Sequence, residues 1–273
     1  MKNSVKIAVS GKGGVGKTLV AGVLAVFFVK KNLKVLAIDA DPSPNLSLTL
    51  GIPIDQARKI TPISENTKLI ELKTKTNLEG VYLLSFSVDD IIRDFSVKSP
   101  YGVNLLVMGT VRSAGSGCTC PANAVIRALL RHLLLESNEA VVMDMEAGVE
   151  HLGRGTAKHM DTMLIVSDSS FKSLETAKKI YGLATEMGVK EVFLVGNKVA
   201  SAHESELIER FTLENEIPLL GLIPHDKSIV KADMKGEAPL KYYDASEGVV
   251  SIKRMGETLL NLKTRTRRHR KIS

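Results

Sequence analysis

The chain has 273 residues, a length that suits one large α/β domain, and its 44% hydrophobic and 25% charged residues exclude disordered, collagen-like and coiled-coil architectures. The net charge of +7 is local, because Lys263, Arg265, Arg267, Arg268, Arg270 and Lys271 lie in the last eleven positions and the remainder carries only +1. The longest apolar run, Leu19 to Val29, falls short of the ~20 residues of a membrane span and no charged-then-apolar leader opens the chain, so a cytoplasmic location is expected.

Short β-branched runs alternate with longer stretches of helical periodicity, which predicts an α/β fold with a mainly parallel, twisted sheet and helices on both faces. In chain order the strands are expected at Val5–Ser10, Lys34–Asp39, Val81–Ser87, Asn104–Met108, Ala140–Met145, Thr162–Ser167, Glu191–Asn197 and Leu219–Leu222. Several are apolar almost throughout, as strands buried on both faces are. Helices are expected at Lys17–Lys31, Asn123–Glu136, Ser173–Met187, Ser205–Asn215 and Ala245–Leu262, with Gly188 ending the third. Residues 1–262 read as a single domain. Residues 51–80, rich in Lys, Thr and Asn, read as an insertion over the surface, and residues 263–273 as a frayed, solvated basic tail.

The first strand runs into Gly11-Lys12-Gly13-Gly14-Val15-Gly16-Lys17-Thr18 and then a helix. A glycine-rich turn in that position converges backbone N–H groups on phosphate oxygens, and the following helix offers its positive end. Lys17 is placed to reach β- and γ-phosphates and the Thr18 hydroxyl to ligate Mg²⁺. The second strand ends Asp39-Ala40-Asp41-Pro42, carrying carboxylates to the same sheet edge. Val141-Val142-Met143-Asp144 leads apolar residues to a carboxylate suited to the metal's water shell.

With its extra Lys12, this loop resembles the deviant Walker A motif of the ATPase family that includes MinD, ParA and the nitrogenase iron protein. The resemblance implies ATP as ligand and a homodimer in which Lys12 crosses to the partner's nucleotide. It implies that Asp41 positions or deprotonates the attacking water near Mg²⁺, so that Lys12, Lys17 and Asp41 form the catalytic set and Thr18, Asp41 and Asp144 the magnesium set. Nucleotide contacts are implied for Gly13, Gly14, Val15, Gly16, Lys17, Thr18 and Leu19, although Leu19 replaces a hydroxyl common in relatives and loses its side-chain contact to the α-phosphate. On the adenine side they are implied for Asn197, in Gly196-Asn197-Lys198, and for Pro224, His225 and Asp226.

Cys118-Thr119-Cys120-Pro121 supplies two thiolates, half of a four-ligand site. Two such pairs across a twofold would suit Zn²⁺ or Ni²⁺; buried small residues and a redox pair are the alternatives. Together with Cys-x-Cys, the stretch from Asp144 to Ala157 makes the chain similar to the CooC-type accessory ATPases of carbon monoxide dehydrogenase. That likeness implies an ATP-dependent dimeric metallochaperone with Ni²⁺ or Zn²⁺ at Cys118 and Cys120, whose client is carbon monoxide dehydrogenase or acetyl-CoA synthase. The rival readings are a MinD- or ParA-like positioning ATPase and an ATPase with an iron–sulfur cluster shared between subunits. A tail of Lys, Arg, Thr and His has no apolar face, so stable membrane binding is not expected; its charge could touch nucleic acid, but it reads as a solvated, frayed terminus, so a nucleic-acid partner is not expected either.

Overall fold

The computed structural model describes residues 5–66, 88–109, 129–134, 140–146, 157 and 159–270. Eight strands form one sheet: β1 (Lys6–Gly11), β2 (Val35–Ala40), β3 (Val97–Lys98), β4 (Asn104–Val107), β5 (Ala140–Met145), β6 (Thr162–Ser167), β7 (Glu191–Val199) and β8 (Leu219–Pro224). Their spatial order is β3-β4-β2-β5-β1-β6-β7-β8, parallel everywhere except at the short edge strand β3. The helices are α1 (Lys17–Lys30), α2 (Leu46–Thr49), α3 (Ile54–Ala57), α4 (Val88–Phe95), α5 (Phe171–Glu186), α6 (Ala202–Glu214), α7 (Lys227–Met234) and α8 (Glu247–Arg270). Residues 129–134 are also helical.

Strand periodicity divides the core. Ile7 and Val9 face one layer, with α1 and α8, while Ala8 faces the other, with residues 129–134 and α5. Helix α1 is apolar on nearly every side because it lies between the sheet and α8; its buried residues run without a break from Val20 to Phe28. The approach to α8 is close enough that a Cβ on Gly256 would meet the Phe27 ring at 2.6 Å. Gly188 closes α5 in a left-handed conformation, with Gly188 N–H donating to the Thr185 carbonyl and Val189 N–H to that of Ala184, the paired hydrogen bonds of a Schellman cap.

Expected strands and helices recur at most of their positions, with ends matched or shifted by at most three residues except at the end of α8. The expected strand Val81–Ser87 lies outside the described residues, as does much of the expected helix Asn123–Glu136. Elements α2, α3, β3 and α7 are too short to show a clear hydrophobic period, and α4, although its eight residues are amphipathic, was not anticipated either. Helix α8 continues to Arg270, eight residues beyond its expected end at Leu262. No Gly or Pro stops it there, and the backbone stays helical as far as Arg270. The start of the 51–80 segment is more than a surface insertion: Ile52 and Ile63 are buried, and Ser64 N–H donates to the Met108 carbonyl. Among the described residues no helix is long and apolar enough to cross a membrane.

Candidate functional site

β1, central in the sheet, delivers the phosphate loop to the C-terminal edge, where the crossover β1-α1-β2 passes over β5. Gly14 and Gly16 take positive φ values of 82° and 98°, and Gly16 is the N-cap of α1. At Gly16 only glycine fits for two reasons, since the conformation is left-handed and a Cβ would lie 2.2 Å from Asn197 Nδ2. Val15 is buried under the loop, whereas Gly13 and Gly14 are exposed. Lys17 is only 7% exposed, with its Nζ 3.4 Å from the Lys12 carbonyl oxygen. Lys12 lies half-buried in the same loop, and no hydrogen bond or ion pair holds its ammonium among the described residues.

Asp39 and Asp144 occupy paired positions on adjacent strands β2 and β5, and both are fully buried. Asp39 is committed to its own chain: Oδ1 accepts from Asp41 N–H at 3.3 Å and Oδ2 from Leu46 N–H at 2.9 Å, which folds the 41–46 turn and starts α2. Burial lifts its pKa to about 6, against the pull of those N–H groups. Asp41 is half-buried at the edge, its Oδ1 accepting from Ser43 N–H at 2.9 Å.

Asp144 is different. Among the described residues neither of its carboxylate oxygens completes a hydrogen bond, although the Thr18 hydroxyl stands close to it. Burial pushes its pKa up to about 7; the neighbouring Thr18 hydroxyl and Lys17 charge pull it down, while Asp39 and Asp41 push it further up. A buried carboxylate whose oxygens complete no hydrogen bond among the described residues, beside the Thr18 hydroxyl, suits a hard divalent cation, so Thr18 and Asp144 fit Mg²⁺.

A cavity of about 670 Å³ adjoins the loop, bounded by Gly14, Gly16, Thr18 and Leu19 on one side and by Asn197, Pro224, His225 and Asp226 on the other. Its size suits a nucleotide-sized ligand. The structure therefore brings together the expected phosphate and adenine sides, which are far apart in sequence, Gly16 and Asn197 among them. Two of their members also hold the fold together. Asn197 spends one amide hydrogen on the Val15 carbonyl oxygen at 2.6 Å and its Oδ1 on Lys198 N–H at 2.8 Å, leaving one N–H and one lone pair for a base. Asp226 caps α7: Oδ1 accepts from Ser228 N–H and Oγ–H, and Oδ2 from Ser246 Oγ–H and Gly248 N–H. Burial alone would raise its pKa, but these four donors hold it well below the usual carboxylate range. Asp226 thus joins β8, α7 and α8, and its place at the cavity is that of a wall.

Sequence reasoning missed the opposite wall. Asn45, Leu48 and Thr49 from α2 and its cap, and Ile229, Val230 and Asp233 from α7, line the cavity on helices too short to leave a periodic signal. Cys118 and Cys120 lie outside the described residues, as do residues 147–156 of the stretch from Asp144 to Ala157. Among the described residues no group of three or more His, Cys, Asp or Glu side chains is placed to hold a metal ion.

Residues 6–240 match the model of the CobQ/CobB/MinD/ParA nucleotide binding domain. The chain is 43% identical over 244 residues to the carbon monoxide dehydrogenase accessory protein CooC of Rhodospirillum rubrum, covering 89% of this chain and 90% of that protein. It is 40% identical over 236 residues to an ATP-binding protein of Methanocaldococcus jannaschii, covering 85% and 90% respectively. Among solved structures, the cell division ATPase MinD of Pyrococcus furiosus superposes with a TM-score of 0.66 at 22% identity, over 94% of this chain and 99% of that one.

Proposed function

The chain belongs to the CobQ/CobB/MinD/ParA family of P-loop ATPases, in its CooC-like branch, and from that premise we propose that it is a dimerising metallochaperone ATPase. In this reading it assists nickel insertion into carbon monoxide dehydrogenase, or into acetyl-CoA synthase, whose nickel centre poses the same delivery problem. The observation that carries the reading is the coincidence, in one chain, of a loop with an extra lysine, a Cys-x-Cys pair and a relative whose own role is carbon monoxide dehydrogenase accessory protein.

Each group has a place in the reaction. Loop N–H groups and the Lys17 ammonium bind the β- and γ-phosphates. Asp41, half-buried at the sheet edge, orients water for attack on the γ-phosphorus and takes up its proton as the bond to the ADP oxygen breaks. Asp39 keeps Asp41 in place through the two backbone hydrogen bonds it accepts. Mg²⁺, when held by Thr18 and Asp144, supplies positive charge to the phosphates. Lys12, whose ammonium has no partner among the described residues of its own chain, serves the nucleotide of the second subunit. Nickel is cargo, carried by Cys118 and Cys120 from both subunits, since two thiolates leave a four-coordinate site half built.

Metal stoichiometry on the full-length protein tests this. Ni²⁺ should bind at about half an equivalent per chain, with thiolate charge-transfer absorbance that fades as acid protonates sulfur. The Cys118→Ser/Cys120→Ser protein should lose that binding yet still bind ATP. Half-equivalent binding by the double variant, or a full equivalent on a wild-type monomer, would overturn the shared site. Visible absorbance of an iron–sulfur cluster after anaerobic purification would replace nickel as the cargo.

A further inference from the structure

The end of β7 is irregular in a way that adenine recognition by Asn197 does not explain. Against β8, Gly196 pairs with Leu222 and Val199 with Pro224, so Asn197 and Lys198 together oppose Ile223 alone. This is a β-bulge. Within it Lys198 adopts φ 60°, a left-handed conformation that costs a side-chain-bearing residue energy, and its N–H is tied to Asn197 Oδ1 at 2.8 Å.

In a regular strand consecutive side chains point to opposite faces of the sheet. Here both reach the same loop. Asn197 Nδ2 donates to the Val15 carbonyl oxygen at 2.6 Å, and Lys198 Nζ donates to the Gly14 carbonyl oxygen at 2.8 Å. Two consecutive carbonyls of the phosphate loop are therefore gripped by two consecutive side chains more than 180 residues away. Lys198 also lines the cavity beside the loop.

We propose that Lys198 is a positioning residue of the nucleotide site, and that the bulge exists to aim it. A carbonyl turned into the loop would repel the phosphate oxygens that its N–H groups must meet. By holding Gly14 C=O, the ammonium keeps that oxygen out of the loop and leaves the neighbouring N–H groups set for the anion before nucleotide arrives. The charge of Lys198 acts through the loop, while Lys17 supplies charge to the phosphates. The inference rests on the ATPase chemistry alone, and it stands or falls independently of nickel.

The test compares full-length wild type with Lys198→Met, which keeps the length of the stem and removes the donor, and with Lys198→Arg, which restores a donor. Hydrogen exchange of the nucleotide-free proteins is followed at residues 12–16, together with Kd for ATP and ADP and the split between KM and kcat. Lys198→Met should speed exchange in that segment while the central strands stay protected. It should weaken ATP and ADP alike, by about threefold to tenfold, and raise KM more than it lowers kcat. Lys198→Arg should recover most of both effects. Wild-type exchange and affinity in Lys198→Met would overturn the proposal. So would faster exchange across the whole sheet with a lowered Tm, which would make the lysine merely structural.

Discussion

Asp144 and Asp226 show how differently two strand-end carboxylates can be used. Four donors satisfy Asp226, while Asp144 is buried without a completed hydrogen bond among the described residues. The cost of Asp144 has a sign. Its folded pKa of about 7 lies above the ordinary carboxylate value of 3.8, so the folded state holds a proton that the unfolded chain releases. Stability is therefore lost as pH rises from about 4 to 7, and the loss persists above that. Asp144→Asn removes the ionisable group, so the nucleotide-free, metal-free variant should be more stable than wild type at pH 8 by at least about 1 kcal/mol, with the difference shrinking toward pH 4. Thermal unfolding across that range is the check, and no gain at pH 8 would mean that Asp144 is already satisfied. The same variant should lose Mg²⁺-dependent hydrolysis, a trade of stability for function.

At the scale of elements, the phosphate loop does not stand alone. Its shape is set jointly by its own glycines and by β7, because Asn197 fills the space that a side chain at Gly16 would need. Gly16→Ala should therefore fail twice, through φ 98° and through displacement of Asn197 from the Val15 carbonyl. Destabilisation of roughly 1–3 kcal/mol and at least about tenfold weaker ATP binding are expected, measured by denaturant unfolding and calorimetry. An alanine variant with wild-type affinity would show that the two elements are not coupled. The turn after β2 follows the same logic: Asp39 spends one oxygen on the turn at Asp41 and the other on the start of α2, and α2 in turn supplies a wall of the cavity.

For the whole molecule the question is whether one chain completes the site. The Lys12 ammonium has no hydrogen bond or ion pair among the described residues, although the loop around it is otherwise closely tied. A partner's nucleotide is the counterpart that its position in the family motif implies. Lys12→Gln should leave nucleotide binding by the monomer largely intact, abolish ATP-dependent dimerisation in sedimentation experiments, and slow turnover by about a thousandfold, the scale of a charge supplied in trans. Normal dimerisation and turnover in the variant would remove the trans role.

The sequence by itself determined the buried parallel strands and the phosphate chemistry, and the reason is local. β5 and β6 could be bounded to the residue because strands buried on both faces are apolar runs ended by polar residues, and Gly11 to Thr18 are contiguous, with spacing that reports backbone conformation directly. Gly188 was legible for the same reason, since a left-handed cap selects its residue type in place. Only the tertiary structure decided what Asp226, Asn197 and Lys198 do. Their residue types allow a ligand contact, a cap or a clasp equally well, and the choice depends on partners, Ser246, Val15 and Gly14, that folding alone brings near. The cavity walls on α2 and α7 were hidden because a helix of one or two turns shows no period, and packing against the rest of the fold, more than propensity, holds such a helix in place.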